Sequence, residues 1–202
     1  MITTQLEVFD HLSLVEEDFE GQVFISCKFI NCDLKSVNME DVITERCAFI
    51  DCSFRGTRLN GSVHRESSFT NCQFTYAHLF NTEFLDCRML GSSFTEANLL
   101  GIKITRGDWS YTNLRSCDLK NLDLSEVNLT HADLSDSNLE KACFRSANLS
   151  FALLVQANLK GADLREALVE GLDFKSFSLK DVKVDMEQAV YIARAFGAVI
   201  NG

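Results

Sequence analysis

The chain contains no proline in 202 residues. Irregular, loop-rich proteins use proline to fix their turns, so this absence points to one uniform, repeated backbone. Long apolar runs are also missing. No stretch approaches the roughly 20 residues of a membrane span. The start, Met1-Ile2-Thr3-Thr4-Gln5-Leu6-Glu7, lacks the basic residues and apolar run of a secretory signal. A cytoplasmic location is therefore expected. Positive charge is scarce as well: 19 Lys and Arg stand against 29 Asp and Glu, giving a net charge of −10 and a pI of about 4.8. That balance repels nucleic acid and favours basic partner surfaces. No Gly-rich phosphate loop or catalytic serine motif is present, which removes the usual starting points for an enzyme.

A strict period of five is present instead. Of the 36 positions spaced by five from Phe9 to Val184, 34 are apolar, and only Thr44 and His64 interrupt the series. Two residues before each of these lies a smaller class: Cys27, Cys32, Cys47, Cys52, Ser67, Cys72 and Ala77 early, then Ala132, Ala142, Ala147, Ala152 and Ala157 later. Both columns are expected to point inward. Neither a helix, with period 3.6, nor a simple strand, with period 2, produces such a pattern, so a repeat architecture is indicated. The large residue is mostly Phe up to Phe94 and mostly Leu afterwards. The two halves should therefore pack and turn differently.

Segments such as Ala97-Asn98-Leu99, Ala132-Asp133-Leu134, Ala147-Asn148-Leu149 and Ala162-Asp163-Leu164 resemble the A(D/N)LXX motif of the pentapeptide repeat family. The resemblance implies an all-β fold, a right-handed quadrilateral β-helix in which four pentapeptides make one square turn and residues twenty apart stack. Thirty-six repeats would then make nine coils in unbroken register without long loops. At about 4.8 Å per layer the rod would be roughly 43 Å long. The expected organisation is a β-helix over residues 1–184, with 1–6 as an N-terminal cap, followed by a helix and dimerisation tail over 185–202. Asp185-Met186-Glu187-Gln188 reads as a capping box opening a helix that ends near Phe196, before Gly197.

Seven of the eight cysteines occupy the small inward column, with Cys143 the exception, and a buried free cysteine packs as a small hydrophobe. The four histidines share no metal-ligand spacing. His64 should be a core histidine hydrogen-bonded to backbone or to its stacked neighbour Thr44. No cofactor and no metal are expected. Candidate binding residues lie outside. Glu17, Asp18, Glu20, Glu40 and Asp41 form an acidic block on adjacent coils of one face, and Glu20 stacks on Glu40. Like charges at that spacing repel by about 1 kcal/mol in water, so the block is either solvated surface or a face kept for a basic partner. Phe80 and Leu100 form an apolar waist at places that are usually polar, which marks either a binding site or local packing. Val190, Phe196, Val199 and Ile200 exceed what a small cap needs and are expected to join two copies.

Four segments bring the chain closest to the MfpA and Qnr group within this family. They are Thr44-Glu45-Arg46, His64-Arg65-Glu66-Ser67-Ser68-Phe69, Cys87-Arg88-Met89-Leu90-Gly91-Ser92-Ser93-Phe94 and the ending Val184-Asp185-Met186-Glu187-Gln188-Ala189-Val190. The similarity implies a homodimer joined through its C-terminal ends that mimics DNA, binds DNA gyrase or topoisomerase IV, and alters fluoroquinolone action without binding nucleic acid. The charge limits that mimicry. A net −10 over roughly 43 Å is one charge per about 4 Å, against one per roughly 1.7 Å in duplex DNA. An immunity protein against a gyrase poison and a structural rod with an unrelated partner stand as alternatives.

Overall fold

The computed structural model describes residues 2–200; Met1 of the expected cap, and Asn201 and Gly202 of the expected tail, lie outside the described residues. Ten three-residue strands come first. They are β1 (Thr3–Gln5), β2 (Val8–Asp10), β3 (Val23–Ile25), β4 (Lys28–Ile30), β5 (Ile43–Glu45), β6 (Ala48–Ile50), β7 (Val63–Arg65), β8 (Ser68–Thr70), β9 (Glu83–Leu85) and β10 (Lys103–Thr105). Helix α1 (Met186–Ala195) follows at the far end. All pairing is parallel and joins each residue to the one twenty later, as in Thr3↔Val23 and Phe29↔Phe49. One side of the rod is the sheet β1-β3-β5-β7-β9-β10, and the next is β2-β4-β6-β8. The remaining sides are ladders of single bridges such as Asp33↔Ser53 and Asn38↔Arg58.

Both inward columns form one continuous core. In the first half Phe9, Phe29, Phe49 and Phe69 stack face to face, with centroids 4.4, 4.6 and 4.7 Å apart. Phe54, Phe74 and Phe94 repeat this on the next side, at 4.7 Å. The expected difference between the halves is present: continuous strands stop at Thr105, and the Leu-rich half is held by single bridges alone. Strand-built sides thus span about five turns, from β1 to β10, rather than the nine expected. Residues 3–5, inside the segment expected to cap the N-terminal end, already form the first rung.

The missing prolines and the repeated Asp or Asn have one explanation. In most pentapeptides of the bridge-built sides the amides of the large residue, of the residues one and two before it, and of the residue two after it donate to backbone carbonyls. Leu34 to Ser53, Asp33 to Leu12, Val37 to Leu34 and Ser36 to Arg55 are examples. Where an Asp or Asn stands just before the large residue, its side chain caps the fifth amide, two residues later. Lys35 N donates to Asp33 Oδ1 at 3.1 Å, Lys120 N to Asp118 Oδ1 at 3.3 Å and Leu100 N to Asn98 Oδ1 at 3.2 Å. With most amides used, proline would delete a bond at most positions of such a repeat.

Seven cysteines are buried and Cys143 is half-buried. The buried thiols donate to the carbonyl 23 residues earlier, as Cys52 does to Phe29 O at 3.3 Å. Hydroxyls at equivalent places, such as Thr57 Oγ1 on Leu34 O at 2.7 Å, do the same. Burial pushes the Cys47 thiol up to about 11 and those of Cys87 and Cys117 up to about 12.

The twenty-residue register loosens near the C-terminal end. Gln156 N donates to Ser176 O, one residue beyond the rule. At the helix the sequence reading holds: Asp185 Oδ1 accepts from Glu187 N and Gln188 N at 3.0 and 3.2 Å, while Gln188 Oε1 accepts from Asp185 N at 2.9 Å. The other Asp185 oxygen accepts from Glu166 N at 2.7 Å, tying the cap to the rod. These donors hold its carboxyl below the usual range. Gln188, fully inside, donates to Ala167 O at 3.0 Å.

Candidate protein interface

One side of the rod carries most of the candidate residues. The residue after its large core position is, coil by coil, Glu20, Glu40, Asn60, Phe80, Leu100, Lys120, Glu140, Lys160 and Lys180. The column therefore runs from acidic through apolar to predominantly basic. Glu17, Asp18, Glu20 and Asp41 are exposed and Glu40 is half-exposed. Glu17 stands where later coils bury Val37 and Thr57; the open end leaves it outside. The repulsion expected between Glu20 and Glu40 is relieved by amides. Asn38 Nδ2 donates to Asp18 Oδ1 at 2.9 Å and to Glu20 Oε2 at 3.0 Å, and Asn60 Nδ2 donates to Glu40 Oε1 at 2.8 Å. Arg58 Nε stands 3.9 Å from Glu40 on the surface. Asp18, Glu20 and Glu40 are thus held in a fixed array.

Phe80 and Leu100 are 45% and 67% exposed. They neighbour each other through the His78↔Asn98 rung and stand away from the acidic block, toward the middle of the rod. At the C-terminal end, α1 seats Gln188, Ile192 and Ala195 on the rod. Phe196 and Val199 are left 61% and 88% exposed, Ile200 is exposed and Val190 is half-buried. An open apolar cavity of about 310 Å³, lined by Leu179, Val182, Val184, Ala189, Ile192 and Ala193, lies beside them.

Two features escaped the sequence reading. The first coil leaves Ile2, Leu6, Val8, Leu12 and Val15 exposed, so the N-terminal end is apolar and uncovered. On one outer corner, Tyr111, His131 and Phe151 stack at 4.7 and 5.1 Å, and Phe151 lies so close over Gly171 that a Cβ there would meet the ring at 2.3 Å. The twenty-residue column His11, Asn31, Asp51, Asn71, Gly91, Tyr111, His131, Phe151 was the available signal.

The pentapeptide repeat region profile matches residues 23–84 and 77–150, and the pentapeptide repeats profile, in eight copies, matches residues 142–181. The chain belongs to the pentapeptide repeat family. No curated protein sequence matches it. Among solved pentapeptide repeat structures, a trypsin-treated variant of QnrB1, a plasmid-mediated fluoroquinolone resistance protein, superposes with a TM-score of 0.89 at 21% identity, covering 99% of this chain and 100% of that one. Full-length QnrB1 superposes with a TM-score of 0.88 at 20% identity, over 97% and 100% of the two chains. The fold is the right-handed quadrilateral β-helix of that structure. No described helix is long and apolar enough to cross a membrane.

Proposed function

We propose that this pentapeptide repeat rod is a cytoplasmic binding protein that imitates DNA toward DNA gyrase or topoisomerase IV and modulates fluoroquinolone action. The observation that carries the reading is the acidic array at one end of a loop-poor rod, on a backbone that superposes along its whole length with a fluoroquinolone resistance protein. Carboxylates fixed by Asn38 and Asn60 offer a basic groove a spaced set of acceptors, and net charge −10 steers the approach. The waist at Phe80 and Leu100 supplies apolar contact further along the same side. The test is a gyrase supercoiling assay with and without ciprofloxacin. Changing Glu17, Asp18, Glu20, Glu40 and Asp41 to Lys should weaken gyrase binding by at least tenfold while circular dichroism is unchanged, because reversal replaces attraction by repulsion. An unchanged effect on gyrase in the folded variant sinks the acidic array as the contact. A parent protein without effect on either enzyme leaves the reading of a rod with another partner, for which the stacked Tyr111, His131 and Phe151 corner is the candidate surface.

The active unit is proposed to be a homodimer built on Val190, Phe196, Val199 and Ile200. Support comes from their exposure and from the adjoining apolar cavity. Phe196→Asp combined with Ile200→Asp should halve the mass seen by light scattering at micromolar concentration and leave the β signal intact. A parent already monomeric there removes the interface.

A further inference from the structure

Halfway along the rod the backbone ladder parts on two adjacent sides. Bridges join His78 to Asn98 and Asp118 to Asn138, and β10 pairs with β9, yet none joins Asn98 to Asp118 or Lys103 to Asp123. The amides of Leu99, Gly101, Ile104, Arg106, Asp118 and Asp123 have no backbone partner. Equivalent amides in other coils do: Leu79 N donates to Asn98 O at 2.9 Å, and Asn121 N to Glu140 O at 2.9 Å. The other two sides of these coils stay joined through Arg88↔Asp108 and Asp108↔Asn128, and through Ser93↔Asn113 and Asn113↔Asp133. The result is a seam rather than a break.

Two further observations mark the same place. Cavities of about 330 and 370 Å³ lie along the seam and share Ile102, Asn121 and Leu122. Core residues Leu99, Ile102 and Ile104 are 5–6% exposed, where Met89, Phe94 and Trp109 are at 0%. Trp109, the single tryptophan, sits at this level, stacked on Phe94 at 5.4 Å and edge-on to Phe84 at 5.6 Å. Its Nε1 is a buried polar atom without a partner.

The charged side chains along the seam are engaged. Lys103 pairs with Glu83 and Lys120 with Glu140, while Asp118 accepts from Asn138 Nδ2 and Asp123 from Ser125. With both lysines paired, the seam keeps two negative charges, Asp118 and Asp123, in a chain of net −10. What it leaves unanswered is a row of backbone donors and acceptors at strand spacing, beside the apolar side chains of Leu100, Ile102 and Leu122. A second extended polypeptide backbone presents the matching array; a nucleic acid does not, and is repelled besides. We propose that the seam is a strand-addition site for an uncharged, apolar, extended segment of a partner protein. This inference is independent of the gyrase reading.

The probe is an acetylated, amidated peptide of alternating threonine and valine, compared with the same peptide N-methylated at alternate amides. Binding is read from Trp109 emission and located by hydrogen exchange. In the free protein the six seam amides should exchange at least tenfold faster than those of Leu79 and Leu119. Saturating peptide should slow them at least tenfold, and the N-methylated peptide should have no effect. Leu100→Lys, at an exposed position, should keep the fold and raise the peptide Kd roughly tenfold, the worth of one lost apolar contact. No saturable response up to millimolar peptide overturns the proposal. So does equal binding of the N-methylated peptide, which would make the seam an apolar groove only. Seam amides that slow with rising protein concentration and no peptide would place a second copy of this chain there instead.

Discussion

On acidification the protein should lose stability between about pH 6.5 and pH 3, and His64→Phe should remove most of that loss. His64 is fully buried, with its ring on Phe84 at 4.9 Å and edge-on to Phe69 at 5.1 Å. Nδ1 lies 2.8 Å from Thr44 Oγ1 and Nε2 3.0 Å from Ser62 Oγ. Thr44 Oγ1 donates to Ser67 Oγ, which donates to Arg65 O. These partners are neutral, and burial lowers the His64 pKa to about 3. The unfolded chain takes up this proton near pH 6.5, so between the two values it binds more protons than the folded one. Stability is complete above pH 6.5 and falls as pH drops toward 3. The gap is worth roughly 4–5 kcal/mol, a large part of a typical domain's stability. Asp163, held at about 2 by the Arg165 guanidinium, adds its own loss from about pH 4 down to about 2. Phenylalanine at 64 would extend the stack above Phe84, and circular dichroism should place its acid midpoint at clearly lower pH. Coincident acid transitions for parent and variant would assign the loss to carboxylates.

Phe49→Ala should cost about 3–5 kcal/mol, the range for emptying a fully packed aromatic site. Phe49 has no exposure and is sandwiched between Phe29 at 4.6 Å and Phe69 at 4.7 Å, with Phe54 edge-on at 5.4 Å. Parallel rungs on both sides prevent the coil from collapsing into the space. Phe9→Ala, in the same column but half-buried with one stacking neighbour, should cost less than half as much. Urea titration of the two variants checks this. Equal losses would mean that the terminal coil is as well packed as the interior, against the exposure of Val8 and Leu12.

The fold was legible because a solenoid writes its cross-section into the sequence once per coil. The inward columns, the stacking of Thr44 under His64, the cysteine column and the Asp185–Gln188 cap were each visible as spacing. Features that depend on how far apart neighbouring coils sit were not. At the seam the period continues without fault through Leu99, Ile104 and Trp109. The departures are two single residues. Gly107 replaces the usual small side chain, with φ +97 and so close an approach that a Cβ would meet Cys87 O at 2.2 Å. Trp109 is the largest buried side chain. One draws the backbone onto the preceding coil, and the other needs more room beside it. The acidic block was readable as charge, but the asparagine amides that organise it were not, because Asn38 and Asn60 act through rotamers that spacing does not specify. The open N-terminal end was missed because residues 3–5, within the segment expected as a cap, already form a rung.

The twenty-residue register also makes the rod a rotary device for arranging surfaces. Inserting or deleting one pentapeptide between the acidic block and the C-terminal end would turn one relative to the other by a quarter of a revolution and keep the large and small columns inward, while re-pairing the stacks that straddle the change. A change of four pentapeptides would restore the angle and alter the separation by about 4.8 Å. Angle and distance thus both follow from one integer, the number of pentapeptides between the two surfaces, and members of such a fold can re-aim a charged patch past a fixed end in discrete steps without redesigning either surface.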